Sequence, residues 1–212
     1  MMPVAPPING DLSDWSGMAA IRLRPSDHQR VPDDRAQPLE DEAVGGVARV
    51  AWDAKHLYHA ADVCDTMPMR NSHERAELWR GESLELYLGF DGTTEKTLIA
   101  GNSSFQIGCA PTSTSGKPAI WKWKVAGDKA DHVRDGATIV AAPTADGYTR
   151  DVAIPLSLLG QASPPRGNFI GFAVHLNDAA TADGEKPDNV LIWNGDGMNC
   201  RDPSQWNVAL LE

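Results

Sequence analysis

The chain has 212 residues, of which 42% are hydrophobic, so it can bury a sizeable core and is predicted to form one domain over residues 1–212. Its 19 basic and 29 acidic residues give a formal net charge of −10. This charge disfavours phosphate backbones and anionic lipid surfaces, so we expect neither nucleic-acid nor membrane partners. The sequence contains no apolar run long enough to span a bilayer and no secretory signal, which predicts a soluble chain but leaves localisation and oligomeric state unknown.

Short segments in which apolar and polar residues alternate run through the whole chain, separated by turns rich in glycine and proline. In 83–90 four alternate apolar residues share one face, whereas Glu85 and Tyr87 point to the other. Ten such segments predict an all-β fold, an antiparallel two-sheet β-sandwich with long loops. Segment 155–160 is typical of a single helical turn, and segment 24–42 of an exposed loop. The ten predicted strands are 47–52, 56–63, 83–90, 104–108, 120–125, 137–142, 148–154, 168–176, 190–193 and 206–211.

Motifs of the common enzyme classes are absent from the sequence, which has no GxSxG, no HExxH and no phosphate-binding P-loop. His56 and His59 are the closest pair of the six histidines, and they point to opposite faces of a predicted strand, which disfavours a shared metal. Glu82 and Glu85 also lie on opposite faces and cannot flank one glycosidic bond. The sequence therefore predicts a non-catalytic protein.

Tryptophan is unusually frequent, with seven residues against four Phe and three Tyr. An indole face stacks on the apolar face of a pyranose ring while neighbouring polar side chains bond its hydroxyl groups. Trp79 precedes the strand that projects Glu85 and Tyr87 outward, and Gln106 is predicted on the same outer face. These four residues form a candidate saccharide site, although a role for Trp79 in closing the end of the sandwich is equally compatible with the sequence.

Oxygen-bearing side chains at strand ends are typical of calcium ligands. They are also ordinary turn formers, and the residues alone favour that interpretation. The candidates are Asp62, Asp65, Asn177 and Asp178.

Six segments, taken in order along the chain, resemble family 9 carbohydrate-binding modules and related sugar-binding domains. They are INGDLSDW (8–15), VAWDAKHLYHAADVCD (50–65), LWRGESLELYLGFD (78–91), GYTRDVAIPLSLLG (147–160), IGFAVHLNDA (170–179) and CRDPSQWNVALL (200–211). The resemblance covers nearly the whole chain. It implies a DOMON-like β-sandwich that binds a saccharide or polysaccharide, in a family whose members usually act outside the cytoplasm.

The resemblance also implies roles for single residues. Trp79 resembles the first of two tryptophans that stack on the sugar, and Glu85 resembles the acid that bonds its hydroxyls. Gln106 stands where the family has an arginine, and Cys200 stands where it has the second tryptophan. We take Trp193 as the substitute aromatic residue. The other candidates for that role are Trp121 and Trp206.

Structural calcium is implied by the same resemblance, near Asp65 and Asp178. Two alternative functions remain open at this point. The wider DOMON group includes haem-binding electron-transfer domains, for which Met67 or Met69 would be an axial ligand. Because Cys200 replaces a stacking tryptophan, the chain could also be a scaffold domain whose sugar site is lost.

Overall fold

The computed structural model describes residues 5–30, 39–90, 104–124, 136–160 and 167–211. Within these residues twelve strands form two antiparallel sheets, which confirms the predicted all-β sandwich. Among the residues described, no helix has the length and apolar character that crossing a membrane requires.

The strands are β1 (Ala20–Leu23), β2 (Gln29–Arg30), β3 (Val44–Trp52), β4 (His56–Asp65), β5 (Ser83–Gly89), β6 (Ser104–Ala110), β7 (Ala119–Lys124), β8 (Thr138–Pro143), β9 (Gly147–Pro155), β10 (Phe169–Asp178), β11 (Asn189–Trp193) and β12 (Asn207–Leu210). The helical segments are α1 (Pro25–His28) and 3₁₀ turns at Ser13–Trp15, Arg75–Arg80, Leu156–Leu159 and Pro203–Gln205.

The two sheets differ in size and strand order. Sheet A has five strands in the order β1-β3-β4-β9-β8. Sheet B has the order β2-β11-β10-β5-β6-β7, and β12 pairs with the first residues of β10. The main hydrophobic core lies between the sheets, and β5 at the centre of sheet B contributes Leu84, Leu86 and Leu88 to it. As the alternation predicts, Glu85 and Tyr87 then face the outer side of sheet B.

Each of the ten predicted strands overlaps an observed strand, β3 to β12, whereas β1 and β2 are additional. The described part of segment 24–42 includes α1 and β2, and residues 31–38 lie outside the described residues. Segment 155–160 forms the 3₁₀ turn Leu156–Leu159, which ends at Gly160 with φ of +65°. Glycine suits this left-handed end of the turn because it has no Cβ.

Strand β7 presents its tryptophans to the outer face of sheet B. Lys122 faces the core, because its Nζ donates to the Leu158 carbonyl at 2.8 Å and lies over the Phe105 ring. Trp121 and Trp123 therefore project from the opposite side of the strand. The sequence alternation separates the two faces of β7 correctly, but it does not show that the lysine face turns inward.

Candidate functional site

A cavity of about 480 Å³ opens on the outer face of sheet B. Antiparallel register places Glu85 opposite His175 and Tyr87 opposite Gln106 on this face. Asn177, two residues beyond His175, also lines the cavity. The remaining lining residues are Trp79, Trp123, Pro187, Val190, Ile192, Gly197, Cys200 and Arg201.

Trp79 is held at the rim of the cavity by the 3₁₀ turn Arg75–Arg80. The preceding residue, Leu78, is fully buried and anchors the turn, whereas Trp79 is 38% exposed. Asn71 fixes the turn further, since its Nδ2 donates to the carbonyls of Leu78 at 2.8 Å and Glu82 at 3.0 Å. A large exposed indole on an anchored turn favours ligand contact over closure of the sandwich.

Glu85 is buried at the floor of the cavity and is held by neutral donors. The Tyr87 hydroxyl donates to its Oε2 at 2.7 Å, and Gln106 Nε2 donates to its Oε1 at 3.1 Å. Burial raises the pKa of the Glu85 carboxyl, and the bonds from Tyr87 and Gln106 oppose that rise. Since each carboxylate oxygen has two lone pairs, Glu85 retains acceptor capacity for ligand hydroxyls.

His175 joins this network through a defined tautomer. Asn199 Nδ2 donates to the Asn194 carbonyl at 2.8 Å and lies 2.9 Å from His175 Nε2, so Nε2 is the acceptor. The ring proton then sits on Nδ1, which lies 3.3 Å from the Tyr87 hydroxyl. Burial lowers the pKa of His175 to about 3, which keeps the ring neutral. This arrangement orients the Tyr87 hydroxyl toward Glu85, and the neutral ring adds no positive charge beside the carboxyl group.

The structure brings together Trp79, Glu85, Tyr87 and Gln106, as the sequence predicted, but places Trp193 elsewhere. Trp193 packs against the main core, with its ring 5.8 Å from that of Phe172. In a strand successive side chains alternate, so Ile192, not Trp193, reaches the cavity from β11. Our expectation that Trp193 lines the site is therefore corrected.

The other tryptophans divide in the same way. Trp206 is buried against Tyr87 with ring centroids 5.7 Å apart, and Trp121 is buried beside Leu78. Trp123 lines the cavity and was not singled out from the sequence. The available signal was its position on β7, two residues from Trp121, which gives both indoles the same face.

A second cluster of acids lies where β4, β5 and β10 meet. Asp65 ends β4, Glu82 immediately precedes β5 and Asp178 ends β10. Each offers a carboxylate oxygen, and these oxygens all lie within 4.8 Å of one another. Asp65 and Asp178 were predicted as a pair, whereas Glu82 was missed. Of the other predicted calcium ligands, Asp62 is exposed on β4 and Asn177 lines the cavity of sheet B.

The electrostatics of this acidic cluster are unfavourable without a cation. Burial, together with the hydrogen bond to Asp65 and its charge, raises the pKa of Glu82 to about 10. Burial raises the pKa of Asp178 to about 6, and the Asp65 charge adds to the rise. Asp65 Oδ2 is buried and, within the described part of the chain, accepts no hydrogen bond from an amide or hydroxyl group. Three close carboxylates with an unpartnered oxygen match the chemistry of a hard divalent cation site.

The methionines considered as haem ligands do not line the sheet B cavity. Met67 is 40% exposed in the loop after β4, and Met69 packs against the main core with φ of +61°. Their surroundings give no support to the haem interpretation.

Comparisons with known sequences show which family the chain resembles. A family described as "Carbohydrate family 9 binding domain-like" matches residues 27–212. Endo-1,4-beta-xylanase C of Paenibacillus barcinonensis is 25% identical over 169 residues, which are 77% of this chain, and the match spans only 13% of that enzyme.

Solved structures show the same fold at low sequence identity. A family 9 carbohydrate-binding module of Caldicellulosiruptor kristjanssonii in complex with cellotriose superposes with a TM-score of 0.67 at 18% identity, covering 99% of this chain and 90% of that one. A family 9 carbohydrate-binding module of the same organism in complex with glucose gives a TM-score of 0.67 at 17% identity, covering 99% of this chain and 92% of that one. A putative carbohydrate-binding protein of Bacteroides uniformis gives a TM-score of 0.62 at 13% identity, covering 95% and 89%.

Proposed function

The chain belongs to the carbohydrate family 9 binding-domain family, and from that premise we propose that its ligand occupies the cavity on the outer face of sheet B. The protein acts by binding, not by catalysis. Trp79 stacks on a sugar ring, while Glu85 and Gln106 bond its hydroxyl groups. One observation supports this proposal above all. The exposed indole of Trp79 and the buried carboxylate of Glu85, which accepts hydrogen bonds from neighbouring side chains, line the same cavity.

The lining of the cavity supports binding without catalysis. Glycoside hydrolysis normally needs two carboxyl groups on either side of the scissile bond. Among the described residues that line the cavity, Glu85 is the only acid. It is held by Tyr87 and Gln106, an arrangement suited to accepting hydroxyl protons in hydrogen bonds.

The ligand class follows from the same chemistry and from the relatives. The similar modules hold cellotriose and glucose, and the sequence relative is a xylanase. Gluco- and xylo-saccharides are therefore the first ligands to test. An equatorially substituted pyranose presents a flat apolar face to an indole and hydroxyl groups at its edge, which suits this lining.

Calorimetric titration of Trp79→Ala with glucose, cellotriose and xylotriose tests the proposal. We expect sugar affinity to fall at least tenfold while the melting temperature stays within about 2 °C, because an exposed side chain contributes little to stability. Phe169→Ala is the matched control, since Phe169 is 37% exposed on sheet B but lies outside the cavity lining. Failure of the folded wild-type chain to bind any saccharide would favour the scaffold alternative.

We also propose that Asp65, Glu82 and Asp178 hold a structural calcium ion. Their buried oxygens fit a hard cation, which would neutralise the carboxylates and connect the ends of β4 and β10 to the start of β5. The loop between β4 and β5 also carries Trp79, and its Arg70 amide donates to Glu82 Oε2 at 3.0 Å. The ion would therefore stabilise the segment that presents Trp79.

A further inference from the structure

We infer that Trp123 supplies the second aromatic surface of the site, and that the ligand is an oligosaccharide of two or more pyranose units lying across the strands of sheet B. This inference rests on the proposed saccharide site and specifies its ligand. It rests on two observations: the Trp123 ring lies over Gly108, and different kinds of residue line the two ends of the cavity.

Gly108 determines where the indole of Trp123 lies. Trp123 is paired with Gln106 on β6, yet its ring lies over Gly108, two residues further along that strand. A Cβ added at Gly108 would come within 2.7 and 2.8 Å of the Cζ3 and Cη2 atoms of Trp123. The ring can occupy this position only because residue 108 has no side chain.

The position over Gly108 brings the indole to the row of residues that contains Glu85. Gly108 is the direct cross-strand partner of Glu85 on β5. The 3₁₀ turn that carries Trp79 also packs against β5, β6 and β7. Trp79 and Trp123 therefore stand at the same end of the cavity, next to the buried carboxylate, and together present two aromatic surfaces there.

The opposite end of the cavity has a different lining. Pro187, Val190 and Ile192 form an aliphatic surface, Gly197 and Cys200 add little bulk, and Arg201 supplies one long polar side chain. None of the described lining residues at this end is aromatic. A sugar ring bound at the tryptophan end thus faces an open space on the side of β11.

The cavity is also longer than one sugar ring. Its lining crosses five neighbouring strands, β7, β6, β5, β10 and β11. Four interstrand spacings amount to about 19 Å. A single pyranose would leave the aliphatic end unused, whereas an oligosaccharide contacts both the aromatic end and the aliphatic end.

Calorimetric titration with glucose, cellobiose and cellotriose, and with xylose, xylobiose and xylotriose, tests this inference. We expect affinity to rise at least tenfold from monosaccharide to trisaccharide. Trp123→Ala should lower trisaccharide affinity about tenfold, as expected for one lost stacking contact. Gly108→Ala should lower it severalfold, because the new methyl group displaces the indole.

A double-mutant cycle separates this role from a general structural one. If Gly108 acts through the indole, Gly108→Ala will have no further effect in the Trp123→Ala background. Tight binding that is unchanged by Trp123→Ala and Gly108→Ala would overturn the inference, as would equal affinity for mono- and trisaccharides. Either result leaves the proposed function intact if Trp79→Ala still lowers sugar affinity at least tenfold. Absence of saccharide binding by the wild type would overturn both.

Discussion

Two buried glutamates lie three residues apart in the sequence, Glu82 just before β5 and Glu85 on it, and the clusters of side chains around them differ. Glu85 on β5 is surrounded by neutral donors, with Tyr87 at 2.7 Å and Gln106 at 3.1 Å. Glu82, just before β5, is surrounded by two further carboxylates, Asp65 and Asp178. The pKa is raised at Glu85 and at Glu82, and burial is the first cause at both.

The difference lies in what each cluster still lacks. The group around Glu85 has its donors in the protein and spare acceptor capacity, so it is suited to a neutral ligand that brings hydroxyl groups. The acidic cluster has an excess of acceptors and the unpartnered Asp65 Oδ2, so it is suited to a cation. Two carboxylates three residues apart are thus suited to different ligands by the donors and charges around them.

The largest expected effect is that of calcium on the acidic cluster. At a calcium concentration a hundredfold above its Kd, binding to the native state adds about 2.7 kcal/mol of stability. For a chain of this size that corresponds to a rise in melting temperature of about 5–10 °C relative to chelator. Scanning calorimetry with calcium, magnesium and EGTA measures this rise.

Neutral replacements in the acidic cluster sharpen this test. In the double variant Glu82→Gln with Asp178→Asn, the calcium response should disappear, and the melting temperature in EGTA should exceed that of the wild type because neutral amides avoid the cost of burying or protonating these carboxyl groups. Asp62→Asn, on the exposed side of β4, is the control and should keep the full response. A wild-type melting temperature that does not change between millimolar calcium and EGTA would exclude a calcium site here.

The next effect concerns the cavity alone. Glu85→Ala should weaken trisaccharide binding about thirtyfold, corresponding to roughly 2 kcal/mol for the loss of charge-assisted hydrogen bonds. Glu85→Gln keeps the shape and should lose less affinity. The calcium-induced rise in melting temperature should be the same in both variants and the wild type. Loss of the calcium response in Glu85→Gln would show that the two clusters are not independent.

Only part of the site around Glu85 could be predicted from the sequence. Strand alternation places Glu85, Tyr87 and Gln106 on one face because side chains in a strand repeat every two residues. The same rule separates the faces of β7, but only packing shows that Lys122 turns inward and Trp123 outward. The Trp123 ring extends from β7 over Gly108 on β6, and the alternation of residues along one strand cannot predict such a contact between strands.

The sequence alone did not predict the positions of two further residues, Glu82 and Trp193. Glu82 joins Asp65 and Asp178 through contacts between strands that are distant in sequence, so spacing alone gave no sign of a third carboxylate. Trp193 was chosen as an available indole, although its alternation with Ile192 on β11 directs it to the core. In both cases the deciding information was the pairing of strands and which face of each is buried.

The smallest expected effect is a pH dependence of sugar affinity that belongs to Glu85. The titratable groups around it are Tyr87 on β5, His175 on β10, Cys109 on β6 and Cys200 after β11. Burial raises the pKa of Tyr87 well above 10 and those of both thiols above 9, and it lowers the pKa of His175 to about 3. Burial raises the pKa of Glu85 above its ordinary value of 4.5, so Glu85 is the group among these that we expect to lose its charge as the pH is lowered through that raised pKa.

The sign of this dependence follows from the state that the ligand prefers. Sugar hydroxyls donating to Glu85 favour the carboxylate, so the pKa of Glu85 is lower in the complex than in the free protein, and affinity falls as pH decreases through the free-protein pKa. We expect affinity to decline as the pH is lowered through the raised pKa of Glu85, measured by calorimetry at a series of pH values, with circular dichroism to confirm that the fold persists. Glu85→Gln cannot ionise and should show a flat profile over the same range. An equal decline in Glu85→Gln would assign the dependence to another group and remove the carboxylate from the ligand contacts.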